Sequence, residues 1–297
     1  KEERDNLFSN ILIYGLINSA ILAVYAMGLS LTFGISGITN LAHGAFYILT
    51  GFVCWELFSS AGLPYPLAIL ISLVITGGLG ALLYRVVLLR VRGITLSEVV
   101  VTFAAGVAIL EFLRWRGYYG VQYALPPFLK GSIEVASGIF VDYQRLFIIG
   151  IGIILVVFLY ILTHYTRVGL AFRAVAQNEY TALSLGIETD WIAMLSVAFG
   201  SALAAVAAVV VLPLGVITIG KGYDVLIFAI AVGIIGGLES VTGIVVGALA
   251  LGYAQIIVGT YFGTHWVMVT ALLVIILVLV VKPSGLFGKF KELEERV

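Results

Sequence analysis

Long apolar runs dominate the chain and are separated by short polar segments. An α-helix needs about 20 apolar residues to cross the hydrocarbon core of a bilayer. The runs are continuous, whereas the strands of a membrane β-barrel alternate apolar and polar residues. Seven runs therefore predict transmembrane helices, at 10–33, 64–84, 98–113, 146–164, 189–211, 241–260 and 264–281.

Two further apolar runs, 41–58 and 223–238, follow segments rich in glycine and polar residues. The first segment reads GISGITNLAHG (34–44) and the second GVITIGKGYD (215–224). Non-helical backbone at membrane depth is tolerated only where protein or a water-filled cavity satisfies its polar groups. The pattern predicts an all-α polytopic membrane protein with about nine crossings, two of them short or broken.

The order of spans and breaks predicts an internal repeat of inverted orientation. GALLY (80–84) is echoed by GALALGY (247–253), and VVVT (99–102) by VMVT (267–270), at offsets of 167 and 168 residues. Such short apolar matches also arise by chance, but inverted repeats with broken helices are a common plan of transporters. We expect a single transmembrane domain over 1–297. Its predicted parts are a first repeat (10–113), a connecting helix (146–164), a cytoplasmic loop (165–188) and a second repeat (189–281).

Composition supports a membrane location and excludes several classes of protein. The 297 residues are 62% hydrophobic and 11% charged, whereas soluble domains are roughly 45–50% apolar and about 25% charged. Lys and Arg together number 16, as do Asp and Glu, so there is no net basic field to attract nucleic acid. A soluble enzyme, a disordered chain and a nucleic-acid binder are excluded. The single cysteine, Cys54, cannot form an internal disulfide.

The distribution of basic residues favours one orientation in the membrane. With an odd number of crossings, the segments 85–97, 165–188 and 282–297 share one side. They carry nine Lys and Arg residues, against seven on the opposite side. Because basic residues concentrate on the cytoplasmic side, this predicts an outside N-terminus and a cytoplasmic C-terminus.

The first break carries polar side chains that are candidates for lining a solute pathway. Four of them lie in apolar surroundings: Ser36, Thr39, Asn40 and His43. Polar groups inside a membrane are functional candidates by default. In a helix starting near Asn40, Asn40, His43 and Tyr47 share one face. The alternative is a packing role, in which Asn40 and His43 bond to neighbouring backbone carbonyls.

The second break contains Thr218, Lys221 and Asp224. Lys221 and Asp224 are three residues apart at a helix start, where such a pair neutralises its own charges at the membrane surface. The alternative is a role for Thr218 and Lys221 at the mouth of the pathway.

A polar stretch on the arginine-bearing side, 163–191, predicts a short amphipathic helix outside the bilayer, with Gly186 as its C-cap. Such a compact, alanine-rich helix fits a groove on a partner protein. The alternative is an interfacial helix resting on lipid.

The sequence contains no set of residues typical of catalysis or of metal binding. His43, His164 and His265 lie in separate spans without metal-ligand spacing. A phosphate-binding GxxxxGK[ST] motif is absent, and no carboxylate is placed at mid-span as in proton-coupled carriers. We expect a protein without catalytic residues.

Three ordered blocks resemble the permease subunits of branched-chain amino acid ABC importers, and the smaller of the two permeases in particular. Here the blocks read GISGITNLAHG (34–44), RAVAQNEYTALSLGI (173–187) and PSGLFG (283–288). GGLESVTGIVVGA (236–248) is similar to a further glycine-rich block of that family. The resemblance covers almost the whole chain. One departure is Ala45, where many relatives carry Glu, so a preference for a particular solute is not carried over.

The resemblance implies a subunit of a type II ABC importer in the cytoplasmic (inner) membrane of a prokaryote. It implies branched-chain or other small amino acids as solutes. The implied partners are a second permease subunit, two cytoplasmic ATP-binding subunits and an extracytoplasmic solute-binding protein. ATP and Mg²⁺ would then be bound by the partners, and no cofactor by this chain. Residues 170–187 would form the coupling helix that contacts the ATPase, through Arg173, Ala174, Gln177, Asn178, Ala182 and Gly186.

Two alternatives remain at this point. Relatives also transport urea, amides and aromatic or other carboxylate solutes. From a different class, a self-contained secondary carrier or channel predicts solute flux without ATP. A membrane scaffold that transports nothing would not need two polar helix breaks.

Overall fold

The computed structural model describes residues 2–118, 123–136 and 138–288. This part of the chain forms twelve α-helices and one two-stranded antiparallel sheet. The helices are α1 (Glu2–Ser36), α2 (His43–Trp55), α3 (Tyr65–Leu83), α4 (Leu89–Val91), α5 (Thr95–Trp115), α6 (Tyr143–Tyr165), α7 (Arg167–Gln177), α8 (Glu179–Ser184), α9 (Thr189–Val211), α10 (Lys221–Gly236), α11 (Val241–Phe262) and α12 (Trp266–Val281). Two π-helical turns, Glu56–Ser60 and Tyr84–Leu88, extend α2 and α3, and a 3₁₀ turn, Leu212–Leu214, extends α9.

Each of the nine predicted spans overlaps a helix of the structure. Within the described residues, six helices are long and apolar enough to cross a membrane, namely Leu7–Ser36, Tyr65–Val91, Thr95–Trp115, Tyr143–Tyr165, Thr189–Leu214 and Val241–Phe262. The other three predicted spans correspond to α2, α10 and α12, which have 13, 16 and 16 residues. Six of the nine predicted crossings are thus matched by a helix of spanning length and composition within the described residues, and the other three stay predictions.

Helix α9 lies at the centre of the bundle. In its most apolar stretch 72% of the residues are buried within the chain, against 22–39% in the other five long helices. Its core face is made of small side chains, including the fully buried Ala204, Ala205, Ala207 and Ala208. Because lipid is as apolar as a leucine side chain, helices in membranes associate through close packing of small residues. The alanine face lets α1, α2 and α3 all pack against α9.

Helices of the two halves pack in matching pairs. The pairs match when α1, α2 and α3 are taken to correspond to α9, α10 and α11. The contact of α1 with α11 then matches the contact of α9 with α3. Likewise, the contact of α1 with α10 matches the contact of α9 with α2. In the same way α2 contacts α5, and α10 contacts α12. Two further pairs join the halves directly, α1 with α9 and α2 with α10. Exchanging the halves therefore leaves this pattern of contacts unchanged.

Both predicted helix breaks are present. α1 ends at Ser36, Gly37 takes the left-handed backbone conformation (φ 69°), and α2 begins at His43. Glycine fits at this position because it carries no Cβ to clash in that conformation. In the second half, an extended segment separates the 3₁₀ turn Leu212–Leu214 from α10, which begins at Lys221.

The polar stretch 163–191 forms two short helices, so the prediction of one helix over 170–187 is wrong. Asn178 has an extended backbone (φ −157°, ψ 112°) and ends α7. Its side-chain oxygen accepts a hydrogen bond from the Thr181 amide (2.8 Å), which caps the start of α8. The predicted C-cap is confirmed. Gly186 has φ +83°, and the Ile187 amide donates to the Ala182 carbonyl oxygen (3.1 Å), as in a Schellman motif.

A β-hairpin lies where the sequence indicated no element. β1 (Ser132–Ala136) pairs antiparallel with β2 (Ile139–Asp142), and α6 starts directly after β2. The Tyr14 hydroxyl of α1 donates to the Phe140 carbonyl oxygen (2.9 Å). The hairpin is thereby attached to the N-terminal part of α1.

Candidate functional site

The two interrupted helices meet at their N-terminal ends. Gly44, in the first turn of α2, packs against Gly222, in the first turn of α10. A Cβ at Gly44 would lie 1.9 Å from the Gly222 carbonyl oxygen, and a Cβ at Gly222 would lie 3.0 Å from the Gly44 carbonyl oxygen. Only a pair of glycines allows the two backbones to come this close. We call this contact the glycine junction.

The extended segment that leads into α2 is held by α5. The Thr102 hydroxyl donates to the Thr39 carbonyl oxygen (3.0 Å) and accepts from the Leu41 amide (3.2 Å). The Asn40 side-chain oxygen accepts from the Ala42 amide (3.1 Å). Backbone groups that leave a helix inside a membrane need such partners, because lipid provides none. The segment is therefore anchored within the protein.

Asn40, His43 and Tyr47 lie inside the chain, each at most 2% exposed. His43 Nε2 lies 2.9 Å from the Tyr25 carbonyl oxygen, and the Tyr47 ring makes an edge-to-face contact with the Tyr25 ring (centroids 5.4 Å apart). These contacts attach α2 to the middle of α1. His43 and Tyr47 thus face α1, whereas Asn40 precedes α2 and bonds to the Ala42 amide within its own segment. That the three residues line a pathway stays a prediction.

Ser36 and Thr39, at the first helix break, are half-buried. The Ser36 hydroxyl donates to the Thr32 carbonyl oxygen (2.8 Å) and accepts from the Ser196 hydroxyl (3.2 Å). Ser36 thus joins α1 to α9. The Thr39 carbonyl oxygen is the atom bound by Thr102 of α5.

The second break is more exposed than the first. Thr218 and Asp224 are exposed, and Lys221 is half-buried. Lys221 Nζ donates to the Val216 carbonyl oxygen (2.7 Å). The expected neutralising ion pair between Lys221 and Asp224 is not among the contacts of the described residues, because the lysine ammonium is held by the backbone of the break. Asp224 makes no hydrogen bond or ion pair within the described part of the chain.

The depth of Asp224 follows from the contacts of its neighbours. Gly222 touches Gly44, and Gly28 of α1 approaches both His43 and Gly200 of α9. Gly28 and Gly200 lie well inside the two long helices α1 and α9. Asp224 therefore lies close to the level of the glycine junction within the bundle, three residues after the positively charged Lys221. The spacing of Lys221 and Asp224 instead predicts a pair at the membrane surface, outside the expected pathway residues.

The glycine junction has a defined electrostatic character. Both α2 and α10 direct their N-termini towards it, and the N-terminus of a helix carries a partial positive charge. Lys221 adds a full positive charge, and Asp224, one turn further along α10, adds a negative charge. The half-buried Lys221 and the exposed Asp224 thus place charges of opposite sign within the first turn of α10. Within the described residues, no group of three or more His, Cys, Asp or Glu side chains is placed to hold a metal ion.

The residues expected to contact an ATPase lie on α7, α8 and the turn after them. Arg173, Gln177, Asn178 and Gly186 are exposed, and Ala174 is half-buried. Ala182 is 1% exposed and packs inside the chain, so the prediction that it forms part of a contact surface is wrong. Its neighbours Leu183 and Leu185 are 57% and 75% exposed. The sequence could not distinguish the exposed leucines from the buried Ala182, because a helix of six residues is too short to show a periodic pattern of buried positions.

Comparison with known proteins identifies the family. A family model described as "Branched-chain amino acid transport system / permease component" matches residues 11–281. The high-affinity branched-chain amino acid transport system permease protein BraD of Pseudomonas aeruginosa is 29% identical, over 94% of this chain and 95% of BraD. The corresponding protein LivH of Escherichia coli is 28% identical, over 90% of this chain and 91% of LivH.

Two more distant proteins are also similar. The probable branched-chain amino acid transport permease protein LivH of Methanocaldococcus jannaschii is 26% identical, over 92% of this chain and 90% of that protein. Among solved structures, PsaBC from Streptococcus pneumoniae in complex with Fab matches with a TM-score of 0.51, over 93% of this chain and 94% of that chain. Its sequence identity is 14%, so this likeness concerns the fold alone. The chain belongs to the family of permease components of branched-chain amino acid transport systems.

Proposed function

We propose that the chain is one permease subunit of an ATP-driven importer and forms half of a pathway for branched-chain amino acids. The observation that carries the proposal is the glycine junction, at which two interrupted helices meet near the middle of the bundle. In transporters, solute sites lie at such meeting points of broken helices, between related halves of the chain. Membership of a permease family and the names of BraD and LivH support the solute class.

The proposed assembly contains a second permease subunit, two cytoplasmic ATP-binding subunits and an extracytoplasmic solute-binding protein. The chain itself carries no phosphate-binding GxxxxGK[ST] motif, so ATP and Mg²⁺ are assigned to the partners. In this assembly the chain binds no cofactor and catalyses no reaction. Its role is to change shape when the partners bind and hydrolyse ATP.

The proposed topology has nine crossings, with the N-terminus outside and the C-terminus in the cytoplasm. α2 and α10 are short, but each is preceded by an extended segment that completes its crossing. α1 and α9 run antiparallel, because Thr32 Oγ1 donates to the Ser196 carbonyl oxygen (3.2 Å) while Gly28 contacts Gly200. The matching helix pairs support two inverted repeats, 10–113 and 189–281, joined by a connecting helix over 146–164.

The pathway face is assigned to the exposed side of the second break. Thr218, Lys221 and Asp224 lie there, and Asp224 makes no hydrogen bond or ion pair among the described residues. An amino acid carries an ammonium and a carboxylate, which match the negative Asp224 and the positive Lys221. Asn40, His43 and Tyr47 act as the support that fixes α2 behind this face. Ser36 and Thr39 take the same supporting role at the start of the break.

Coupling to the ATPase is assigned to the surface of α7 and α8, which we call the coupling surface. Its exposed polar residues are Arg173, Gln177, Asn178 and Gly186. Exposed Leu183 and Leu185 add the apolar contacts that a helix makes in a groove of a partner. Phe172 and Val175, on the opposite side, are buried and anchor the segment to the bundle.

The experiment that tests the proposal is purification of the tagged chain in mild detergent, followed by reconstitution of whatever subunits accompany it. We expect a second permease and ATP-binding subunits, and uptake of leucine only with ATP on the side of the ATP-binding subunits. Leucine uptake should be reduced by isoleucine and valine but not by urea, acetamide or benzoate. Uptake by the chain alone without ATP would indicate a secondary carrier or channel and overturn the proposal.

A further inference from the structure

Arg92 connects three separate parts of the chain on the side of the coupling surface. It follows α4, in the loop before α5. Its Nη2 donates to Glu179 Oε1 (2.5 Å), at the first position of α8, and its Nη1 donates to the Asp190 carboxylate, in the first turn of α9. The same Nη1 donates to the Tyr84 hydroxyl (2.8 Å) at the end of α3. We call these four residues the Arg92 cluster.

The cluster differs from an ordinary surface ion pair. The Arg92 side chain is only 14% exposed, although its two carboxylate partners are 47% and 60% exposed. The Tyr84 hydroxyl also donates to Asp190 Oδ1 (3.2 Å), and the guanidinium carbon lies 5.9 Å from the centre of the Tyr84 ring. A planar guanidinium can satisfy several acceptors at fixed angles, which a lysine ammonium cannot do. The geometry is therefore specific to arginine.

The cluster joins the two halves of the chain. Tyr84 and Arg92 belong to the first half, whereas Glu179 and Asp190 belong to the coupling surface and the second half. Without it, α8 remains attached through its packing on α7 and α9 and through the buried Ala182. α7 in turn packs on α6, α1 and α9, so these attachments connect α8 directly to the second half and only indirectly to α1 of the first half. Arg92 adds a polar connection from α8 to α3 and the loop before α5.

Resting on the coupling role proposed above, we propose that Arg92 is a positioning residue that makes α8 and the α3–α5 loop move as one body. A displacement of α8 by the ATP-binding subunits then reaches both halves of the permease at once. Opening of one gate and closing of the other by rigid-body rotation requires such joint movement. Without Arg92, a displacement of α8 would reach α3 and the α3–α5 loop only indirectly, through α7 and α9.

The test is the amount of solute transported per ATP hydrolysed, measured with the complete reconstituted complex. Arg92→Gln is expected to retain ATP hydrolysis and to lower this ratio by about five- to tenfold, within the range of typical couplings between sites. Arg92→Lys should recover only part of the loss, because an ammonium cannot form the fork. The matched control is Arg90→Gln. Arg90 lies two residues away on α4, is exposed and makes no contact among the described hydrogen bonds and ion pairs, so its ratio should not change.

A cross-link distinguishes positioning from simple stabilisation. The double variant Arg92→Cys with Glu179→Cys should show a low ratio, and a short bis-maleimide between the two thiols should restore it. Cys54 is buried and does not compete for the reagent. Three results would each overturn the inference. The first is an unchanged ratio of solute transported to ATP hydrolysed in Arg92→Gln, and the second is an equal loss of folded complex, ATP hydrolysis and uptake in that variant. The third is a double-cysteine variant that stays uncoupled after cross-linking. ATP-independent uptake by the wild-type complex would instead contradict the proposed function itself.

Discussion

A methyl group added at Gly44 is expected to disrupt the glycine junction. The new Cβ would lie 1.9 Å from the Gly222 carbonyl oxygen and 2.9 Å from the carbonyl carbon. Because unbonded heavy atoms pack at about 3.5–4.0 Å, α2 and α10 would have to separate by about 1.5 Å. A flexible side chain could turn away, but a backbone carbonyl in a helix cannot. The helices themselves must therefore move.

The size of the effect follows from the cost of overpacking. Inserting a methyl group into a well-packed interior costs about 1–3 kcal/mol in the free energy of unfolding. Since about 1.4 kcal/mol corresponds to a tenfold change, the folded fraction relative to the unfolded one falls about 5- to 150-fold. Gly222→Ala should cost less, because the nearest atoms to its Cβ would be the Gly44 carbonyl oxygen at 3.0 Å and the Ile48 side chain at 3.2 Å.

Gly78→Ala, in α3, is the matched control. Nothing lies within 4 Å of a Cβ at Gly78, and alanine is favoured over glycine within a helix by about 1 kcal/mol. The assay is heating of the detergent-solubilised complex, followed by size-exclusion chromatography of the fraction that stays monodisperse. We expect the apparent melting temperature to rise in the order Gly44→Ala, Gly222→Ala, wild type, Gly78→Ala. A Gly44→Ala complex as stable as Gly78→Ala would refute the close contact of the two backbones.

Three further predictions concern the pathway, its support and the orientation of the chain. Asp224→Asn should leave assembly and ATP hydrolysis intact but reduce uptake per folded complex, and normal uptake in proteoliposomes would remove Asp224 from the pathway. Asn40→Ala should lower the free energy of unfolding by about 1 kcal/mol, because the Ala42 amide loses its acceptor. Uptake should then fall only in proportion to the amount of folded complex measured by size-exclusion chromatography. A loss of uptake per folded complex would instead indicate that Asn40 lines the pathway. Cysteines that replace Phe8 and Ser132 should react with an impermeant thiol reagent in intact cells. A cysteine that replaces Tyr180 should react only after lysis. The opposite labelling pattern would show that the chain has the reverse orientation.

The sequence predicted the positions of the helices well because membrane helices leave a direct compositional trace. A run of apolar residues long enough to cross lipid is rare by chance, and the two breaks stand out by glycine and polar residues. The split between α7 and α8 was missed, although Asn178 is a favoured N-cap residue. A single N-cap residue inside a polar, alanine-rich stretch is a weak indication of a new helix, because the residues on both sides of it have a high helix propensity.

The arrangement of the candidate site was harder to predict. Periodicity placed Asn40, His43 and Tyr47 on one side, but it cannot tell whether a neighbouring helix or a pathway covers that side. The decisive contact, Tyr25 with His43 and Tyr47, depends on how α1 packs against α2. Arg92 was counted only as a basic residue for orientation, because its partners lie 87 and 98 residues further along the chain.

The internal repeat shows the same limit. The glycines that meet at the junction are Gly44 and Gly222, whose spacing is larger than the offsets of 167 and 168 residues in the short sequence echoes. The residues that precede them, His43 and Lys221, both occupy the first position of a helix. Apolar strings of a few letters recur too often to fix a register. Which residues of the two halves are equivalent is therefore better judged from helix packing than from sequence similarity.

The alanine-rich face of α9 has a consequence for how the chain tolerates change over evolutionary time. Its fully buried alanines are surrounded by three other helices, so almost any larger side chain there collides with a neighbour. Leu70 and Val74 of α3 are 59% and 67% exposed on the outside of the bundle, where one apolar side chain replaces another at little cost. Random mutagenesis should thus recover many functional substitutions at such outward positions and very few in α9. Among descendants of this chain, substitution rates should likewise be high at the outward positions and low in α9.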